Sequence, residues 1–242
     1  MSVLADARTL VQLARGSAAH GGQAERLQAF YSPQAVHYDA FRERLLHGRE
    51  DLIRQLAPPP GATVVELGGG TGRNLEYFGP RLRSFARVEV VDLCPALLEQ
   101  ARRRCARWPG VAVVVEADAT AYRPAQAVDC VYFSYALTMI PDWRAAVDNA
   151  LGMLRPGGLL GVLDFYVAPP DPPAAFARLG SPARWFWPRW FQHDGVHLDP
   201  QHLPYLLEHT EPLCCERRRG PLPYLPGLRV PYYLYIGRKS AT

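Results

Sequence analysis

The sequence predicts an α/β fold: a seven-stranded, mostly parallel sheet with a terminal antiparallel hairpin and N-terminal helices. Three observations lead there. Short apolar, β-branched runs alternate with helix-length segments between residues 63 and 165, as in a parallel sheet covered on both faces. Helical spacing of apolar residues dominates residues 5–58 and stops at Pro58-Pro59-Pro60-Gly61. Two further strand-like runs, 214–219 and 231–237, can pair antiparallel at the end of the chain.

The elements follow in order. Leu4, Leu10, Val11 and Leu13 give a first helix ending near Gly16, and Gly21-Gly22 separates it from a second over 23–31. A third segment, 36–49, places Tyr38, Arg42, Leu45 and Arg49 at helical spacing. Strands are expected at 63–67, 88–91, 111–116, 128–134 and 159–165, with helices at 74–82, 95–107 and 143–154 between them. Residues 168–190 are rich in proline and aromatics, and a helix over 199–208 follows. There is no repeat and no clear linker. The expected organisation is a helical lead-in and cap at 1–60, then one domain at 61–242 with an aromatic substrate or lid insertion at 168–210.

Length and composition narrow the classes. The 242 residues, 48% apolar, suffice for one well-buried α/β domain. No terminal stretch reads as a signal peptide, and no apolar run approaches the roughly 20 residues needed to span a bilayer. The five cysteines, Cys94, Cys105, Cys130, Cys214 and Cys215, are odd in number and lack CxxC spacing. That pattern predicts reduced thiols in a cytoplasmic protein, with no bound metal. Net charge is +4 with a single lysine, Lys239, so the basicity is arginine. Abundant Ala, Pro and Gly make this a coding bias rather than a sign of nucleic-acid binding, although a mildly basic protein can be drawn to an anionic membrane surface.

The sharpest motif is Val64-Val65-Glu66-Leu67-Gly68-Gly69-Gly70-Thr71-Gly72. Gly68, Gly70 and Gly72 follow a buried strand and open a helix, so the backbone can turn sharply and approach a ligand. Their spacing differs from GxGxxG, the arrangement that seats a pyrophosphate on a helix N-terminus. Glu66 stands two residues before the first glycine, where it would repel a pyrophosphate and attract a cationic ligand. Asp92 ends the next strand about twenty residues on, where an acid accepts both hydroxyls of a ribose. The same Asp92 could instead cap the helix that starts near Pro95.

Glu66-Leu-Gly-Gly-Gly-Thr-Gly resembles motif I of the class I S-adenosylmethionine-dependent methyltransferases, and Val90-Val91-Asp92 resembles their second motif. Glu116-Ala117-Asp118-Ala119 is similar to their adenine-binding segment, and Leu154-Arg155-Pro156-Gly157-Gly158 to the turn before their fifth strand. The likeness runs from residue 61 to 165 with the motifs in order. It implies the Rossmann-like class I methyltransferase fold and S-adenosylmethionine, whose sulfonium and α-ammonium suit Glu66. It further implies cofactor contacts from Tyr38, Arg42, Glu66, Gly68, Gly70, Asn74, Asp92, Leu93, Asp118, Ala119 and Ser134.

The acceptor is written outside these motifs. Residues 38–49 resemble the segment before motif I in the BtaB-type betaine-lipid N-methyltransferases, which trimethylate the amine of diacylglyceryl-homoserine. Residues 190–198, and the run on to Tyr205-Leu206, are similar to theirs as well. The resemblance implies a lipid amine substrate and a 3-amino-3-carboxypropyl transferase as partner. Other lipid head groups, quinone precursors and soluble amines remain alternatives, as does a non-catalytic subunit that binds S-adenosylmethionine beside a partner enzyme. An amine acceptor needs its neutral form, so His193 or His197 could take the proton, and Tyr38 or Tyr166 could accept a bond from the amine. His193 could equally bond a neighbouring loop. Tyr135, Tyr166, Tyr205, Tyr232 and Tyr233 could face the methylated cation, at about 0.5–2 kcal/mol each. A substrate carboxylate needs a cation, with Arg42, Arg184 and Arg189 as candidates. The stretch 183–191, with Trp185, Trp187 and Trp190 beside arginines, reads either as peripheral contact with the inner membrane surface or as a lid packed as core.

Overall fold

The computed structural model describes residues 44–168, 187, 196–222 and 227–240. Five strands alternate with helices: β1 (Thr63–Leu67), β2 (Arg87–Asp92), β3 (Ala112–Glu116), β4 (Val128–Ser134) and β5 (Leu154–Phe165). Two more close the chain, β6 (Glu211–Pro221) and β7 (Arg229–Arg238). One sheet holds all seven in the order β3-β2-β1-β4-β5-β7-β6. The first five run parallel, while β7 is antiparallel to both β5 and β6. The described helices are α1 (Arg49–Leu56), α2 (Pro95–Cys105), α3 (Trp143–Met153) and α4 (His202–His209), with 3₁₀ helices at Arg73–Ser84 and Leu137–Met139.

The sheet is a partition between two apolar layers. Successive strand residues point to opposite faces, so Val64 and Val65 belong to different cores. On one face Val64, Val88, Val90 and Leu163 meet α1, the Arg73–Ser84 helix and Ala101 of α2. On the other, Val65, Leu67, Val131 and Val162 meet Ala146, Val147 and Ala150 of α3 and Leu203 and Leu206 of α4. Close packing of α1 depends on Gly161 of β5, where a Cβ would lie 2.9 Å from both terminal methyls of Leu56. Gly161→Val is therefore expected to lower unfolding stability by about 1–3 kcal/mol through overpacking, read by urea denaturation.

The strand order agrees with the expected fold, and several boundaries shift for local reasons. The segment over 36–49 is not one helix at its described end. Gly48 takes φ 83°, so α1 starts afresh at Arg49, and Leu45 and Arg49 do not share a continuous helical face. The helix expected at 74–82 is a 3₁₀ run interrupted at Gly79 (φ 57°), because Pro80 has no N–H to continue it. β5 begins at Leu154 rather than residue 159. α4 begins at His202, since Asp199 instead accepts the Gln201 N–H and the Trp143 indole N–H. β2 continues on one side of β1 and β4 starts the other, so chain direction across the sheet reverses there. Such a switch point opens a crevice at the carboxyl ends of the strands.

Candidate active site

The glycine loop leaves β1 into that crevice. Gly68, Gly70 and Gly72 have φ of 69°, 54° and 67°, a region other residues enter only with strain. Side chains are excluded as well: a Cβ at Gly68 would lie 2.5 Å from that of Ala136, and one at Gly69 2.6 Å from Val90. The loop is tied to β2 by the Gly69 N–H, which donates to the Val91 carbonyl at 3.0 Å. Asp92 completes the tie. One carboxylate oxygen accepts the Gly70 N–H at 2.8 Å and the other the Cys94 N–H at 2.9 Å. The two backbone donors hold the carboxylate in one orientation beside the glycines while it stays partly exposed, so it can still accept ribose hydroxyls. Leu93, half-buried, follows it.

Beneath the loop lies a charge that β-strand logic alone would not place there. Glu66 is 1% exposed. Its oxygens accept the Asn74 amide N–H at 2.6 Å and the Tyr132 hydroxyl at 2.9 Å. Burial pushes its carboxyl up to about 7, against the lowering effect of those two bonds and of the Arg49 guanidinium. Arg49, itself buried, sits over the Tyr77 ring. Glu66 and Arg49 thus place opposite charges at the end of β1, a pair suited to the ammonium and carboxylate of an amino-acid end. Asn74 keeps a buried carbonyl oxygen with no partner, and the buried Ser134 hydroxyl at the end of β4 has none either. A side-chain-free glycine cradle, an oriented Asp92 and unsatisfied polar atoms fit S-adenosylmethionine in the crevice.

The third loop of the site is braced from α3. Asn149 donates to the carbonyls of Ala119 and Tyr122, at 2.8 and 2.9 Å. Asp118 folds one oxygen onto the N–H and hydroxyl of Thr120, both at 2.8 Å. Ala119 is buried beside it.

At the end of β4, Tyr135 leaves the strand with φ 56°. Its ring packs 4.8 Å from Phe165 and its hydroxyl donates to the His47 carbonyl at 2.7 Å. The five tyrosines expected near a methylated cation do not form one cage. Tyr135 and Tyr232 lie on the α1 face of the sheet, while Tyr166 and Tyr233 lie on the other, 6.4 Å apart. Alternation along β7 forces its two neighbouring tyrosines to opposite faces. Tyr205 is turned to α3: its hydroxyl donates to the exposed Asp148 at 2.6 Å and its ring stacks on His209. His197 is exposed, and its backbone N–H donates to the Thr138 carbonyl at 2.7 Å. Trp187 is 4% exposed and packs in the α1-side core, so its ring faces protein. Tyr38, Arg42, Arg184, Trp185, Arg189 and His193 lie outside the described residues.

Three residues enter that the sequence reading did not place in the site. Tyr132 is Glu66's neighbour in register across β1 and β4; a tyrosine inside an apolar strand was the available signal. Arg49 was legible only as a helix position. Asp164 is fully buried at the end of β5, bonded to Thr138, and burial raises its carboxyl to about 6.

This strand order, with a glycine loop after β1 and an acid at the end of β2, is the α/β methyltransferase fold. Sequence comparison agrees: residues 64–158 match the protein family described as a methyltransferase domain. The chain is 30% identical over 125 residues to trans-aconitate 2-methyltransferase of Methylobacterium radiotolerans, covering 52% of this chain and 46% of that protein. It is 29% identical to the ubiquinone/menaquinone biosynthesis C-methyltransferase UbiE of Roseobacter denitrificans, covering 62% of each. The chain thus spans about half the length of the trans-aconitate enzyme. Among solved structures, N-methyltransferase NodS of Bradyrhizobium japonicum with S-adenosyl-L-homocysteine superposes with a TM-score of 0.56 at 19% identity, covering 84% of this chain and 97% of that one. Residues 64–158 thus resemble a methyltransferase domain, and that likeness implies S-adenosylmethionine as the cofactor.

Proposed function

We propose that this protein is an N-methyltransferase that converts the amine of diacylglyceryl-homoserine to the trimethylated betaine lipid. S-adenosylmethionine supplies a sulfonium methyl group open to in-line attack by a nitrogen lone pair. The chain's task is to hold the cofactor, admit a neutral amine and exclude water. In this reading Asp92 fixes the ribose, Asp118 and Ala119 the adenine, and Glu66 with Arg49 the methionyl end. The observation that carries the amine reading is the grouping of Tyr135, Phe165 and Tyr232 on the α1 face, with Tyr135 and Tyr232 against His47 of the segment whose sequence resembles the betaine-lipid enzymes. Aromatic faces stabilise a nitrogen that gains fixed positive charge and loses its donors. His197, exposed on the segment tied to Thr138, can pass the released proton to water; His193 is the other candidate. Arg42 and Arg189 are the cations proposed for the homoserine carboxylate.

Among the described residues no helix is long and apolar enough to cross a membrane. Access to a lipid amine is proposed to be peripheral, through the insertion, beside the transferase that supplies the homoserine head group. A second reading, a quinone precursor, is favoured by the quinone C-methyltransferases among the sequence relatives. Mass spectrometry of lipids incubated with labelled S-adenosylmethionine separates them. Mono-, di- and trimethylated diacylglyceryl-homoserine are expected. Absence of all three, with cofactor binding intact, rejects the betaine-lipid reading, and label on a quinone carbon selects the second.

A further inference from the structure

The structure assigns Asp164 as a positioning residue for methyl transfer, acting through Thr138 on the loop that follows β4. The inference rests on methyl transfer itself and not on which acceptor is used. Asp164 is fully buried on the apolar face shared with α3 and α4. A carboxylate there must be satisfied by protein donors. It accepts the Thr138 hydroxyl and the Phe165 N–H at 2.8 Å on one oxygen, and the Thr138 N–H at 3.2 Å on the other. Thr138 is buried too, and lies in the 3₁₀ turn Leu137–Met139 between β4 and α3.

What this bond pair holds is strained. Tyr135 opens the loop in left-handed backbone, which a bulky side chain adopts only when its surroundings over-determine it. Three ties do so. The Tyr135 N–H donates to the Leu163 carbonyl at 2.7 Å, the Tyr135 hydroxyl reaches the His47 carbonyl, and Asp164 clamps Thr138 three residues on. The clamp also extends outward. The Thr138 carbonyl accepts the His197 N–H, so the segment returning from the insertion is registered on the same loop. One buried carboxylate therefore sets Tyr135 on one side and His197 on the other. The cofactor loops, built on β1, β2 and β3, have their own ties to Asp92, Val91 and Asn149.

Thr138→Val keeps the shape and removes the hydroxyl; Thr138→Ser restores a hydroxyl. Asp164→Asn puts an amide donor against donors. Hydrogen exchange on the full chain, which needs no acceptor, is expected to show amides in 135–140 and 196–199 losing about tenfold protection or more in Thr138→Val and Asp164→Asn. S-adenosylhomocysteine affinity should stay within about twofold, and Thr138→Ser should keep wild-type protection. With the acceptor identified by lipid analysis, kcat is expected to fall about ten- to a hundredfold, the usual cost of small misplacement. The double variant should be no worse than the poorer single. Protection unchanged in both regions, loss spread evenly through the sheet, or a parallel loss of S-adenosylhomocysteine binding each overturns the proposal. A fall in melting temperature with kcat unchanged does so too. If no methylated lipid forms with the wild type, the betaine-lipid reading fails while the exchange comparison still decides this one.

Discussion

Asp92→Ala is expected to remove S-adenosylhomocysteine binding almost entirely, weakening it by about a hundredfold or more in titration calorimetry. Two losses add. Ribose hydroxyls would lose a charged acceptor, and hydrogen bonds to charged groups contribute about 1.5–3 kcal/mol each; two of them span two decades of affinity or more. The cradle would also loosen, because the same carboxylate holds the Gly70 and Cys94 N–H groups. Asp92→Asn separates the two effects. It keeps the volume and one acceptor, so part of the loop geometry survives while the charge is gone. Near-normal affinity in the alanine variant would overturn the assignment of this acid to the cofactor.

The second large effect is a pH dependence centred on Glu66. Its carboxyl is raised from 4.5 to about 7 by burial in the free protein. Folded protein therefore holds more protons than unfolded protein between about pH 4.5 and 7, and stability contributed by this group falls as pH rises through that window. A cationic ammonium beside Glu66 favours the ionised form. Ligand binding should then release a proton, and affinity for S-adenosylhomocysteine should rise by about tenfold between pH 6 and 7.5. Calorimetry in buffers of different ionisation enthalpy reads that proton directly. Glu66→Gln should flatten the dependence. A flat profile in the wild type would show that Glu66 does not meet the ammonium.

Much of this was legible in the sequence because it is local. Strand and helix periodicity are properties of ten-residue windows, and glycines at 68, 70 and 72 report backbone that turns in the left-handed region. The acid at the end of β2 is placed by its distance along the chain from those glycines. Local reading went astray where one residue overrides a pattern, as Gly48 does to the helical spacing of Leu45 and Arg49, and as Pro80 does within the first 3₁₀ run.

What only the tertiary structure decided depends on which strands become neighbours and in what register. Glu66 and Tyr132 are 66 residues apart, and their bond exists because β1 and β4 lie side by side at the reversal of the sheet. The tyrosines look like one aromatic set in sequence. The sheet divides them, because Tyr232 and Tyr233 must face opposite layers and only the α1 layer contains Tyr135. Asp164 reads as an odd acid in an apolar strand until Thr138 is brought to it. Sequence by itself determined the fold class and the cofactor loop, which follow from short-range backbone geometry. Tertiary structure decided the charge pair under that loop and the grouping of Tyr135 with Phe165 and Tyr232, because both are contacts between segments that only strand pairing brings together.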